Sequence, residues 1–175
     1  QLLSPPINNG YDVLIFALSW PLTGCYSVKR NAPKKNCNLP DTKRFTIHGL
    51  WPSKLHGVFG PEHCDKSLRF DLRALGKLNS QLNANWMTND ATRPNEWLWQ
   101  HEWDKHGTCS VDLPQISTQE LYFKMGLKLQ QDYNMIEILE KAKIYPGKVY
   151  KVQNYLDGIT QVLGKSGFVS CMLNK

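Results

Sequence analysis

The chain has 175 residues, which is about one domain with a core of its own. Hydrophobic residues make up 41% and charged residues 21%, as in soluble globular proteins. No apolar run approaches the roughly 18 residues that a membrane span needs, so we expect no membrane partner. The net charge of +6 favours a polyanionic partner without identifying it as nucleic acid.

Short apolar stretches predict strands at both ends of the chain. The first strand is expected at residues 11–20 and a shorter one at residues 45–47. Between them, residues 29–44 predict a basic loop, because prolines and asparagines interrupt the lysines and arginines. A closing strand is expected at residues 168–173.

Apolar residues that recur every three or four positions predict helices in the rest of the chain. One such stripe covers residues 68–86 and another residues 152–163. A third helix is expected to open at Ser117, which forms a capping-box pattern with Glu120. Helices and strands mixed in this way predict one α+β domain over residues 1–175.

The spacing of the cysteines favours disulfides over a metal site. Paired CxxC motifs, which would suggest zinc, do not occur, and wide separations suit an oxidising compartment. The sequence leaves the pairing open. Because the number of cysteines is odd, one of the five must remain without a partner in this sequence. For Cys171, near the end, we expect a partner in a C-terminal extension, so that the native chain would be longer; the alternative is a free or intermolecular thiol. The cysteines are Cys25, Cys37, Cys64, Cys109 and Cys171.

Three of the five histidines lie in two compact segments, FTIHGLWP at residues 45–52 and WQHEWDKHGTC at residues 99–109. Imidazole can both give and accept a proton near physiological pH. On a helix, the second segment presents a carboxylate, an ammonium group and two imidazoles along adjoining parts of one surface. Proton-transfer groups beside cations are what phosphoryl chemistry needs. The alternative interpretation is that these histidines are structural, as single histidines often are. In the same interpretation Trp86, Trp97 and Trp103 are core residues.

A zinc protease is excluded by the spacing within the second segment. That motif needs two histidines four residues apart on one helix face. His101 and His106 are five apart, which turns them about 140° around a helix. We therefore expect no metal site.

The two segments resemble, almost residue for residue and in the same order, the active-site segments of the ribonuclease T2 family. The similarity extends from Ser19-Trp20-Pro21 to about Cys171. It implies a single-domain ribonuclease T2-like fold, with a central antiparallel sheet flanked by helices. It also implies an endoribonuclease that cleaves single-stranded RNA without metal or any other cofactor, through a 2′,3′-cyclic phosphate. DNA is not an expected substrate, because it lacks the attacking 2′-hydroxyl.

The resemblance also implies a role for each residue of the motifs. His106 and His48 form the acid–base pair, with His106 preferred as base and His48 as acid. His101 contacts the phosphate, and Glu102 and Lys105 stabilise the pentacovalent centre. In addition, Trp51 stacks on a base, unless it is a core residue; the implied disulfides are Cys25–Cys37 and Cys64–Cys109.

Three departures from the family pattern fall around base recognition. They are Ser53, where some members have an acidic residue, Leu98 in place of Phe, and Ser19 in place of Gln. We expect activity to be retained and leave base preference unassigned. His56 and His63 lie outside the motifs and are predicted to be exposed loop residues.

A monomer that is secreted, or that works in a lysosomal or vacuolar compartment, is the expected form. Gln1 opens the chain without a leader pattern, so we expect any signal peptide to have been removed already. Two rival functions remain at this point. One is a catalytically silent secreted member of the same fold that binds RNA or a receptor; the other is a basic module for acidic polysaccharide. Intact catalytic positions argue against the first, and the second would use the lysines and leave the histidines idle.

Overall fold

The computed structural model describes residues 10–55 and 60–172 as one α+β unit. Its sheet has two antiparallel strands, β1 (Val13–Ser19) and β2 (Thr46–Ser53). Among the described residues, no helix is long and apolar enough to cross a membrane. The predicted strand at residues 11–20 is confirmed, and the one at 45–47 is longer than expected.

Residues 10–55 and 60–172 also contain six α-helices. They are α1 (Pro21–Asn31), α2 (Asn79–Asn85), α3 (Asn95–Lys105), α4 (Gln119–Asp132), α5 (Met135–Lys141) and α6 (Val152–Leu163). Short 3₁₀ turns lie at Leu72–Leu75, Gly107–Cys109 and Pro114–Ile116. The predicted helix over residues 152–163 is confirmed as α6.

Several sequence predictions are wrong in detail. Residues 29–31 continue α1 before the loop begins. The stripe at 68–86 is a 3₁₀ turn followed by α2, because the Asp71 side chain accepts a hydrogen bond from the Arg73 amide and caps a separate turn. Helix α4 is capped one residue later than expected, by Thr118.

The closing strand is also wrong over the part that the structure describes. Residues 168–172 form no strand, and the side chains of Phe168 and Met172 are exposed, so the apolar run is not buried in a sheet. Leu173 and His56 lie outside the described residues.

Two hydrophobic clusters hold these elements together. The larger is built from β2, α2, α3 and α4, and encloses the indole rings of Trp86, Trp99 and Trp103. The smaller consists of Leu139, Ile144 and Ile159 from α5, the loop after it and α6. Both motif segments therefore lie against the larger cluster.

Candidate active site

His48 occupies a bulge in β2. Ala17 lies opposite Gly49 and Leu18 opposite Ile47, so His48 is the extra residue of its strand. A bulge re-aims a side chain, and the imidazole of His48 is 46% exposed although Ile47 and Gly49 are buried. Its Nδ1 lies 3.4 Å from Ser19 Oγ. The strand thus presents one imidazole outwards from a buried backbone.

Two buried aromatic side chains bind the edge of β2 that faces away from β1. The Trp86 indole donates to the His48 carbonyl at 2.8 Å. The Tyr122 hydroxyl donates to the Leu50 carbonyl at 2.9 Å and lies 3.4 Å from the Leu50 amide, which donates to it. Buried backbone groups need such partners. The backbone on both sides of Gly49 is therefore fixed from within the core.

Glu102 points from α3 into this strand and is 1% exposed. Its Oε2 accepts a hydrogen bond from Trp51 Nε1 at 2.8 Å, and its Oε1 lies 3.6 Å from His48 Nε2. A Cβ on Gly49 would overlap the Glu102 carboxylate and the Trp51 indole nitrogen, so this contact requires glycine there. Burial raises the pKa of Glu102 to about 8, although the Trp51 hydrogen bond and the Lys105 charge oppose the shift.

His106 follows the last residue of α3 and is 9% exposed. Its ring centroid lies 5.4 Å from that of Trp51, whose other neighbour is the His48 ring at 5.2 Å. Within the described part of the chain, its buried Nδ1 has no hydrogen-bond partner. Burial first, and then the charges of Lys105 and neighbouring histidines, lower the pKa of His106 to about 3. Burial also lowers the pKa of His48, followed by the charges of His101 and Lys105.

Lys105 and His101 lie at the rim of the same site. Lys105 Nζ is 3.1 Å from Glu62 Oε1. His101 is exposed and stacks on Trp97, with ring centroids 5.9 Å apart. Burial, followed by the charge of Lys105, lowers the pKa of His101. A cationic group is thus available beside the two imidazoles.

The structure contains both disulfides that the family resemblance implied. Cys64–Cys109 joins the loop after β2 to the end of the second motif, and Cys25–Cys37 connects α1 to the basic loop. The Cys64–Cys109 disulfide also holds the neighbouring His63 beside α3, where the His63 amide donates to the Lys105 carbonyl at 2.9 Å. Cys171 is an exposed free thiol.

The structure brings the candidate residues of both motifs into one region, where the Trp51 indole contacts His48, Glu102 and His106. Sequence reasoning missed Glu62, Tyr122 and the packing role of Gly49. No local pattern marks Glu62 or Tyr122, whereas Gly49 stood inside a motif. His63 is exposed as predicted, yet its charge contributes to lowering the pKa of His101 and His106. Trp97, expected in the core, is 43% exposed.

A sequence model of the ribonuclease T2 family matches residues 11–175. Ribonuclease Oy of Magallana gigas is 34% identical over 94% of this chain and 76% of its own length. Human ribonuclease T2 is 30% identical over 94% of this chain and 60% of its own.

Solved structures show the same similarity. RNase NT in complex with 5′-AMP superposes with a TM-score of 0.75 at 27% identity, covering 94% of this chain and 78% of that one. Ribonuclease MC1 from bitter gourd seeds gives a TM-score of 0.72 at 31% identity, covering 89% and 77%.

Proposed function

The chain belongs to the ribonuclease T2 family and is a ribonuclease of that type, and we propose that it cleaves single-stranded RNA internally by metal-independent transphosphorylation. The observation that carries this proposal is the pair of imidazoles, His48 and His106, whose rings both lie against the Trp51 indole. One group must take a proton while another gives one, and imidazole does both near neutral pH.

The different surroundings of the two imidazoles support different roles. His106, with its pKa lowered to about 3 by burial, is neutral over most of the pH range and fits the base that takes the 2′-hydroxyl proton. His48, which is half exposed, fits the acid that protonates the leaving 5′-oxygen. The 2′-oxygen–phosphorus bond forms as the phosphorus–5′-oxygen bond breaks, leaving a 2′,3′-cyclic phosphate. In hydrolysis of the cyclic product the two roles exchange.

The groups around these imidazoles stabilise the negative charge that develops on the pentacovalent phosphorus centre. Lys105 supplies a fixed positive charge, and RNA must compete with Glu62 for it. His101 is proposed to contact the phosphate from the rim. Glu102, whose carboxyl lies 3.6 Å from His48 Nε2, is proposed to help stabilise the pentacovalent centre and to tune the pKa of that imidazole.

Trp51 is proposed to stack on one base of the substrate, a contact worth roughly 1–3 kcal/mol and tolerant of base identity. Its indole is only partly buried, and its hydrogen bond to Glu102 fixes the ring. A rigid ring offers a base a platform at low entropic cost.

Three further features of the enzyme are proposed: its substrate range, its site of action and its oligomeric state. DNA lacks the 2′-hydroxyl nucleophile and is not a substrate. Two disulfides support an oxidising site of action, either secreted or in a lysosomal or vacuolar compartment. The working form is proposed to be a monomer.

The test is cleavage of single-stranded RNA in EDTA by the wild type, His48→Ala and His106→Ala, with product ends identified. We expect cyclic 2′,3′-phosphate ends from the wild type and a loss of about 10²–10⁴-fold in each variant, since each lacks a proton-transfer group. Lys66→Ala, which removes an exposed cation outside the motifs, is the control.

Two results would overturn the proposal. Inhibition by EDTA would point to a metal-dependent reaction. Failure of the folded, disulfide-bonded wild type to cut RNA would favour a silent binding protein. Activity is also expected to be highest on the acid side, because one imidazole must be protonated; a rate that is flat from about pH 4 to about pH 9 would contradict this.

A further inference from the structure

An exposed stack of three side chains leads away from the catalytic groups along α3. The Arg93 guanidinium lies 3.9 Å from the centroid of the Trp97 ring. Trp97 in turn stacks on His101, with 17° between the ring planes. Trp97 and His101 are four residues apart and therefore share one face of the helix. The stack begins at a residue of the site and ends outside it.

Trp97 differs from the other tryptophans of its helix. Trp99 and Trp103 are buried, and their indole nitrogens donate to backbone carbonyls. Trp97 exposes nearly half of its surface beside a site proposed to bind RNA. Proteins that hold single-stranded nucleic acid combine such rings with arginine, because every base can stack on them. The position of Trp97 fits that use.

The charge around Arg93 also favours a polyanion. Its Nε lies 3.9 Å from Asp90 Oδ2, but Lys35 holds the same oxygen at 2.7 Å. Asp90 is therefore shared, and Arg93 is its more distant partner. Just before Arg93 in the chain, Ala91 and Thr92 line a groove of about 590 Å³ together with Lys34 and Lys35. Positive charge thus continues past the stack.

We propose that Arg93 and Trp97 form an additional subsite for one nucleotide of the RNA chain, beyond the two that flank the scissile phosphate. The base of that nucleotide stacks on the Arg93–Trp97 pair, and the guanidinium edge donates to its phosphate. This inference rests on the proposed function. Its consequence is that the enzyme favours RNA chains longer than a dinucleotide.

The experiment compares a dinucleotide with a hexanucleotide that contains the same central pair. Every ribose of the hexanucleotide except the one at the central bond carries a 2′-O-methyl group, so that a single bond can be cut. We expect Trp97→Ala to lower kcat/KM for the hexanucleotide by about fivefold to a hundredfold and to leave the dinucleotide within about twofold. Trp97→Phe, which keeps a ring, should recover most of the loss.

A second readout does not depend on cleavage. Binding of a fully 2′-O-methylated hexanucleotide should weaken in Trp97→Ala, and Arg93→Ala should reduce the dependence of log K on log salt by about one phosphate contact. Tyr145→Ala is the matched control, because Tyr145 is similarly exposed and carries Lys148 over its ring at 5.5 Å, in the loop between α5 and α6.

The outcomes separate this inference from the proposed function. Equal losses on both substrates would show that Trp97 only positions His101, and would overturn the subsite. Wild-type enzyme without a length preference would also overturn it. If the wild type cleaves neither substrate, the proposed function fails, and the binding comparison alone decides on the subsite: equal affinity of wild type and Trp97→Ala rejects it.

Discussion

The two hydrophobic clusters differ in what they bury beside apolar side chains. The larger encloses a carboxylate and an imidazole, Glu102 and His106, and uses the polar ends of Trp86 and Tyr122 to bind strand β2. The smaller, around Leu139, buries aliphatic groups between α5 and α6. Polar groups in a core cost stability unless they are satisfied. We therefore infer that the larger cluster gives up stability to hold the site, whereas the smaller contributes stability alone.

The largest expected effect tests this division by truncation in each cluster. Leu139→Ala should lower the free energy of unfolding by about 3 kcal/mol, because it leaves a cavity, and should leave kcat/KM within about twofold well below Tm. Leu82→Ala should cost a similar amount and also lower activity, since the Leu82 side chain packs in the larger cluster with Trp86, whose indole donates to the His48 carbonyl.

Denaturant unfolding and initial rates measure the two quantities for both variants. A large loss of activity in Leu139→Ala would show that the clusters are coupled. Phe45, which packs against the smaller cluster and directly precedes β2, would be the connection.

The next effect tests the closeness of β2 and α3. A Cβ at Gly49 would overlap the Glu102 carboxylate and the Trp51 indole, so Gly49→Ala should destabilise the fold by about 1–3 kcal/mol and displace both side chains. Gly76→Ala is the matched control, because its Cβ would lie 3.5 Å from the nearest atom, at ordinary contact distance.

We expect Gly49→Ala to lose most RNA cleavage and Gly76→Ala to keep it. Thermal unfolding and cleavage rates of the two variants give the comparison. If Gly49→Ala remained fully active and stable, α3 would have to be able to move away from β2 without cost.

The helices also differ in how far the sequence could predict them. Helix α6 has a strong apolar stripe and was predicted with its bounds, whereas α1 was missed, since Pro21 is its one buried residue and no apolar periodicity marks it. The run at 168–173 has the composition of a strand, but a strand needs a partner, and the described residues of this run, 168–172, are exposed and pair with neither β1 nor β2.

The same limit applies to the site. The motif segments identify which groups are present, because their identities and spacing are local. The burial of Glu102, the contact of Lys105 with Glu62 and the exposure of Trp97 depend on distant residues packing around them. Sequence therefore predicted the chemical groups but not the environment that sets their pKa values.

The smallest expected effect concerns those pKa values and the dependence of stability on pH. Burial raises the pKa of Glu102 from 4.5 to about 8, so between these values the folded state holds a proton that the unfolded state has lost, and stability falls as pH rises. Burial lowers the pKa of His106 from 6.5 to about 3, so there the unfolded state holds the extra proton and stability rises with pH. His48 and His101 shift in the same direction as His106.

Stability should therefore peak near pH 6.5 and fall towards pH 8, by at most ~1.4 kcal/mol per pH unit for the one proton on Glu102. Urea unfolding across this range should show that Glu102→Gln abolishes the fall, while Glu120→Gln, which removes an exposed carboxylate from α4, leaves it in place. If the fall persists in Glu102→Gln, a group other than Glu102 causes it, and the buried carboxyl does not lose a proton between pH 6.5 and pH 8. The larger cluster would then hold an ionised carboxylate instead of a neutral acid, 3.6 Å from His48 Nε2.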